Sequence, residues 1–162
     1  MPGASSHVRR GLLLACLSLV FPAVPGAATV SSYAFVNDDA SLRIRNRTIH
    51  LHGIHVPETA RACTTSIRPI VCGSRARLAL EFIIDGFVRC ELLGSNSDGS
   101  FTGKCRVGVT AFEEGTDLAA YLLRRGWALA LPEAPFAYHA LEKIARSQAV
   151  GVWGLAVDRI GR

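Results

Sequence analysis

An α+β domain is the fold class that the sequence predicts, and three observations predict it. Ser41 to Arg45 and Thr48 to His52 alternate apolar and polar residues at a period of two. Phe87 to Leu93 and Phe101 to Ala111 repeat the strand pattern around a polar turn. The segments 73–85 and 135–149 instead carry apolar stripes at helical spacing.

In chain order, residues 1–28 follow the plan of a secretory signal: Arg9 and Arg10, an apolar run from Gly11 to Val24, then the small residues Gly26, Ala27 and Ala28. The run is too short to span a bilayer, so the mature chain is expected to carry no membrane anchor. A lipobox at Leu13-Leu14-Ala15-Cys16 is the lesser alternative, because a cut there leaves a very apolar mature start. Cleavage near Ala28 leaves about 130 residues as one domain, 29–162, and the loss of Arg9 and Arg10 lowers the formal charge from +5 to +3. Such a charge permits contact with nucleic acid without demanding it.

Tyr33 to Val36 is a short apolar run. Ser41 to Arg45 puts Leu42 and Ile44 on one face and Arg43 and Arg45 on the other, as solvated charges. Asn46-Arg47 turns the chain, and Thr48 to His52 sets Ile49 and Leu51 against His50 and His52, completing a meander. Ala60 to Val71 has no period and contains Pro69, which predicts a loop. From Gly73 to Asp85 the residues Ala76, Ala79, Leu80, Ile83 and Ile84 form a helical stripe that Gly86 ends. Gly94 to Ser100 is the polar turn before the strand from Phe101 to Ala111.

Thr116 is expected to cap a helix with Leu118, Tyr121 and Leu122 on one face and Arg124, Arg125 and Gly126 at its end. The last helix, Pro135 to Ala149, places Tyr138, Leu141, Ile144, Ala145 and Gln148 on one side and allows Glu142 to pair with Arg146. Most aromatic residues, Phe82 and Tyr121 on helix faces and Trp127 and Trp153 at helix ends, take core positions. No stacking platform for bases is visible in the sequence.

Removal of Cys16 leaves Cys63, Cys72, Cys90 and Cys105, an even number in an exported chain, so disulfides are expected. Of three pairings, sequence position favours Cys63 with Cys72 across one loop and Cys90 with Cys105 across two neighbouring strands. Four thiolates on zinc are the rival, without the short C-x-x-C spacing that zinc sites show. The compartment implied is the bacterial periplasm or the extracellular space.

The run Ile49-His50-Leu51-His52-Gly53-Ile54-His55-Val56-Pro57-Glu58 resembles the V-R-L-x-G-I-D-A-P-E signature of the staphylococcal nuclease-like, or thermonuclease, family. Further landmarks follow in order: Cys72-Gly73-x-x-Ala76, Asp117-Leu118, Gly126-Trp127-Ala128, Tyr138, Ala145-Arg146 and Gly151-Val152-Trp153. The resemblance covers about residues 33 to 154. It implies an OB-fold, a five-stranded β-barrel with three helices against it, and a calcium-dependent phosphodiesterase ancestry.

The same resemblance exposes departures. Glu58 matches the general base. His50 stands at the first catalytic arginine, Ser100 or a near neighbour within Ser97-Asp98-Gly99-Ser100 at the second, and His55 at a metal aspartate. The metal loop reads Asp38-Asp39-Ala40-Ser41, in which Asp38 matches the first acid and Ala40 replaces the main one. Phosphodiester hydrolysis needs carboxylates for the ion and cations for the growing charge on phosphorus. The expected function is therefore an exported, catalytically degenerate binding or interaction module with no cofactor. The alternative is a residual nuclease using Glu58 and calcium on DNA or RNA. His50, His55 and Glu58 together could instead hold a transition metal.

Overall fold

The computed structural model describes residues 28–57, 62–64 and 69–154, with the backbone alone for 62–64 and 69–74. Residues 1–27 of the expected leader and Glu58 lie outside the described residues.

β1 (Thr29–Ser32), β2 (Phe35–Val36), β3 (Leu42–Ile44), β4 (Arg47–Leu51), β5 (Ile54–His55), β6 (Ala62–Thr64), β7 (Pro69–Val71) and α1 (Cys72–Ile83) come first. β8 (Val88–Ser95), β9 (Phe101–Val107), β10 (Thr116–Asp117), α2 (Leu118–Arg124), β11 (Leu129–Ala130) and α3 (Phe136–Ser147) complete the α+β fold, with a short 3-10 turn at Gly151–Trp153. The main sheet runs β1-β8-β9-β4-β3-β2, with β10 added to β9, and curls into a half-barrel. All its pairs are antiparallel except β4 with β9. Two small ladders, β5 with β11 and β6 with β7, stand apart from it.

The alternating pattern sets which face is covered. Leu42, Ile44, Ile49, Leu51, Val88, Cys90, Cys105 and Val107 point into the curl, where they meet Ala76 and Leu80 of α1 and Leu118, Leu122 and Leu123 of α2. Full burial of each large aliphatic side chain contributes about 1.5–3 kcal/mol, so this inner face holds the sheet's shape. Cys90 and Cys105 are directly opposite in the β8–β9 ladder and form a disulfide, as expected. Their pairing excludes a site of four thiolates. The side chains of Cys63 and Cys72 lie outside the described residues.

Several expectations are corrected. Pro69 opens β7 rather than breaking a loop, since proline is tolerated at the start of an edge strand. The strand from Phe101 stops at Val107, because Gly108 turns at φ 67°. Asp117, not Thr116, caps α2: its Oδ1 accepts from the N–H groups of Ala119 and Ala120 at 2.9 and 3.1 Å. Phe82 is 86% exposed and Ile144 46% exposed, so neither packs in the core.

On α3 it is Tyr138, Glu142 and Ala145 that are buried. Glu142 accepts from Arg146 Nη2 at 2.6 Å, the expected pair, and its other oxygen accepts the Ala130 N–H at 3.1 Å, which ties α3 to β11. The Tyr138 hydroxyl donates to Asp117 Oδ2 at 2.7 Å, and burial followed by that bond raises the phenol's pKa above 10.0. The Tyr138 ring also lies close against Gly53, whose φ of +75° turns the chain from β4 into β5.

Candidate functional site

Ile49 pairs with Leu42 on one side and Phe101 on the other, so the hairpin loops 37–41 and 96–100 both open at its level. With Ile49 and Leu51 buried, strand alternation turns His50 to the outer face between the two loops.

The loops are chemically alike. Asn37 Nδ2 donates to Ser41 Oγ at 2.9 Å, and Asp39 Oδ1 accepts from the Ser41 N–H at 2.9 Å and its hydroxyl at 2.7 Å. Asn96 Nδ2 donates to Ser100 Oγ at 2.8 Å, and Asp98 Oδ1 accepts from the Ser100 N–H at 2.9 Å and its hydroxyl at 2.6 Å. Such aspartate turns fix a loop through its own backbone. The Ser100 side chain, buried and bonded twice, is part of that lock and not a group presented to a ligand.

Each loop leaves a carboxylate beside His50. Asp39 Oδ2 is 4.0 Å from His50 Nδ1. Asp98 titrates below its ordinary 3.8, first through the Ser100 hydroxyl and next through the Ser100 N–H, with His50 close enough to add to the effect. Asp39, Ala40, Ser41, His50, Leu51, Ile54, His55 and Val56 line a cleft of about 210 Å³. The β5–β11 ladder sets His55 there by pairing it with Leu129.

Of the site residues read from the sequence, His50 and His55 therefore share the cleft. Asp38 points away from it, bonded to Arg77 of α1 at 2.5 Å, so among the described residues the acid that lines the cleft is its neighbour Asp39. Glu58 lies outside the described residues. Among the described residues no group of three His, Cys, Asp or Glu side chains is placed to hold a metal ion. The roles of Asp39 and Asp98 escaped the sequence reading, although the repeated pattern Asn-x-Asp-[Ala/Gly]-Ser signals them. No helix among the described residues is long and apolar enough to cross a membrane. No known family model and no curated protein matches the chain.

Proposed function

We propose that this chain is an exported, noncatalytic binding module on a nuclease-like OB frame, its curled sheet being the five-stranded barrel of that fold. One observation carries the reading: the two positions that the resemblance assigns to phosphate-clamping arginines hold His50, faced by Asp39, and Ser100, bonded to Asp98. Among the described residues the cleft has no arginine or lysine in its lining. Among these residues the fixed charge is the Asp39 carboxylate, where a phosphodiester dividing between two oxygens requires cations.

The magnitude supports the same choice. Losing one preorganised donor to the growing charge costs about 3 kcal/mol in the transition state, and here both clamps are gone. Such losses are not additive, yet even one removes more than a hundredfold in rate. Calcium would have Asp39 to meet in the cleft, and Asp38 is turned to Arg77. The Cys90–Cys105 disulfide supports an oxidising compartment, the periplasm or the extracellular space.

The full chain incubated with single-stranded DNA, with and without calcium, is the test. No calcium-dependent cleavage is expected. Cleavage that Glu58→Gln abolishes would overturn the reading and restore the nuclease.

A further inference from the structure

The outer face of the β8–β9 hairpin carries a charge arrangement that the barrel does not need. Arg89 and Arg106 stand directly opposite each other across the ladder, and Lys104 lies two residues before Arg106 on β9, in register with Glu91. Like charges in register destabilise a sheet. Arg106 is offset by Glu114 at 2.7 Å, whereas Arg89 has no ion-pair partner among the described residues.

These side chains floor a cleft of about 550 Å³ whose wall is the loop 109–114, a size suited to a small ligand. The loop is shaped rather than slack. It leaves β9 at Gly108 and ends at Gly115, both at positive φ, and a side chain at Gly115 would collide with the Val107 carbonyl. Thr110 Oγ1 accepts from the N–H groups of Phe112 and Glu113 at 3.2 and 3.0 Å. This holds Phe112 in the cleft wall at 98% exposure, where burial contributes nothing to stability.

Glu91, Glu113 and Glu114 also line the cleft, so at rest its charges balance. The Glu114 side chain is 88% exposed, and an ion pair that open is weak because water screens it. A ligand oxyanion can displace it, because forked guanidinium bonds to phosphate are the stronger, charge-assisted kind. A flat ring on the same ligand would then cover Phe112.

We propose that this cleft binds a phosphate ester of a flat aromatic group, with the phosphate on Arg89, Arg106 and Lys104, the ring against Phe112, and Glu114 as the counter-ion displaced. The site is separate from the His50 cleft and does not depend on how that cleft is read.

Titration of the full chain with phenyl phosphate, inorganic phosphate and phenol, followed by backbone amide NMR, is the test. Saturable shifts at residues 89, 104, 106 and 112 are expected with phenyl phosphate, with affinity at least tenfold above that for inorganic phosphate. Arg89→Gln should weaken phenyl phosphate at least tenfold, and Glu114→Gln should tighten it several-fold. Phe112→Ala should bring phenyl phosphate down to the level of inorganic phosphate. All three residues are surface-exposed, so an unchanged circular dichroism spectrum is expected for each variant. Absence of saturable binding, indifference to Arg89→Gln, no tightening with Glu114→Gln, or a ring preference that survives Phe112→Ala would each overturn the proposal.

Discussion

The hairpin loops at Asn37–Ser41 and Asn96–Ser100 make the same bonds, side chain for side chain, but at the fourth position one holds Ala40 and the other Gly99. Both residues sit at positive φ, 61° and 81°. Ala40 is buried at 2% exposure, while a methyl group at Gly99 would meet open space. The loop geometry is thus set by asparagine, aspartate and serine, and the fourth residue is free to follow its surroundings. It also shows that Ala40 serves a turn here. That a carboxylate is missing there, as the nuclease resemblance emphasises, does not leave the loop without a purpose for Asp39.

The comparison breaks most visibly at the serines. Each hydroxyl donates to an aspartate and accepts from an asparagine, both in part-buried settings. Ser41→Ala and Ser100→Ala should each lower stability by about 1–2 kcal/mol in urea unfolding, the usual cost of stranding buried partners. Equal losses uphold the equivalence of the loops; a loss in one alone ends it.

Ser100→Ala has a second readout. The folded-state pKa of Asp98 is depressed below 3.8, first of all by the Ser100 hydroxyl. A depressed carboxyl contributes stability that is present above the unfolded value and is lost as pH falls through the folded one. Carbon-detected NMR of Asp98 should therefore show its titration moving up toward 3.8 in Ser100→Ala. An unmoved titration would mean that the hydroxyl is not what holds the carboxylate.

At Gly99 the expected effect is smaller. Gly99→Ala places a side chain in the left-handed region with nothing to pack against. The strain of roughly 1–2 kcal/mol is partly offset by the lower entropy of the unfolded chain, which leaves a net loss of about 1 kcal/mol. Thermal unfolding that shows a gain in stability instead would mean that the loop relaxes to another turn.

How much of this was legible in the sequence follows from element length and from what a residue's position depends on. β3, β4, α1 and the β8–β9 hairpin show their periods over enough residues to be read directly. β5 and β11 are two residues each and exist only by pairing across more than seventy positions of chain, which no local pattern reports. Phe82 and Ile144 fall on apolar stripes, but their neighbours stop short of covering them. At the cleft, His50 and His55 were legible because the resemblance to the nuclease motif marks their positions. The matching loops were not, because the same motif assigned them different tasks, one as metal loop and one as arginine turn. Arg77 drawing Asp38 away is a contact across 39 residues and equally invisible.

Ala40→Gly is the finest test of the comparison, since it makes the two loops chemically identical at the fourth position. Relief of left-handed strain favours glycine by roughly 1–2 kcal/mol. Loss of a buried methyl group, about 0.8 kcal/mol, and the greater freedom of an unfolded glycine, about 0.5–1 kcal/mol, act against it. The opposing terms are of the same size, so stability should change by no more than about 0.5 kcal/mol. In Gly99→Ala the unfolded-chain entropy alone opposes the strain, because no burial is gained there. The pair of substitutions therefore separates strain from packing: a large loss in Ala40→Gly would show that the Ala40 methyl group is held by the core more tightly than its size implies, and that the loop bearing Asp39 is anchored from inside the curled sheet rather than by its own hydrogen bonds.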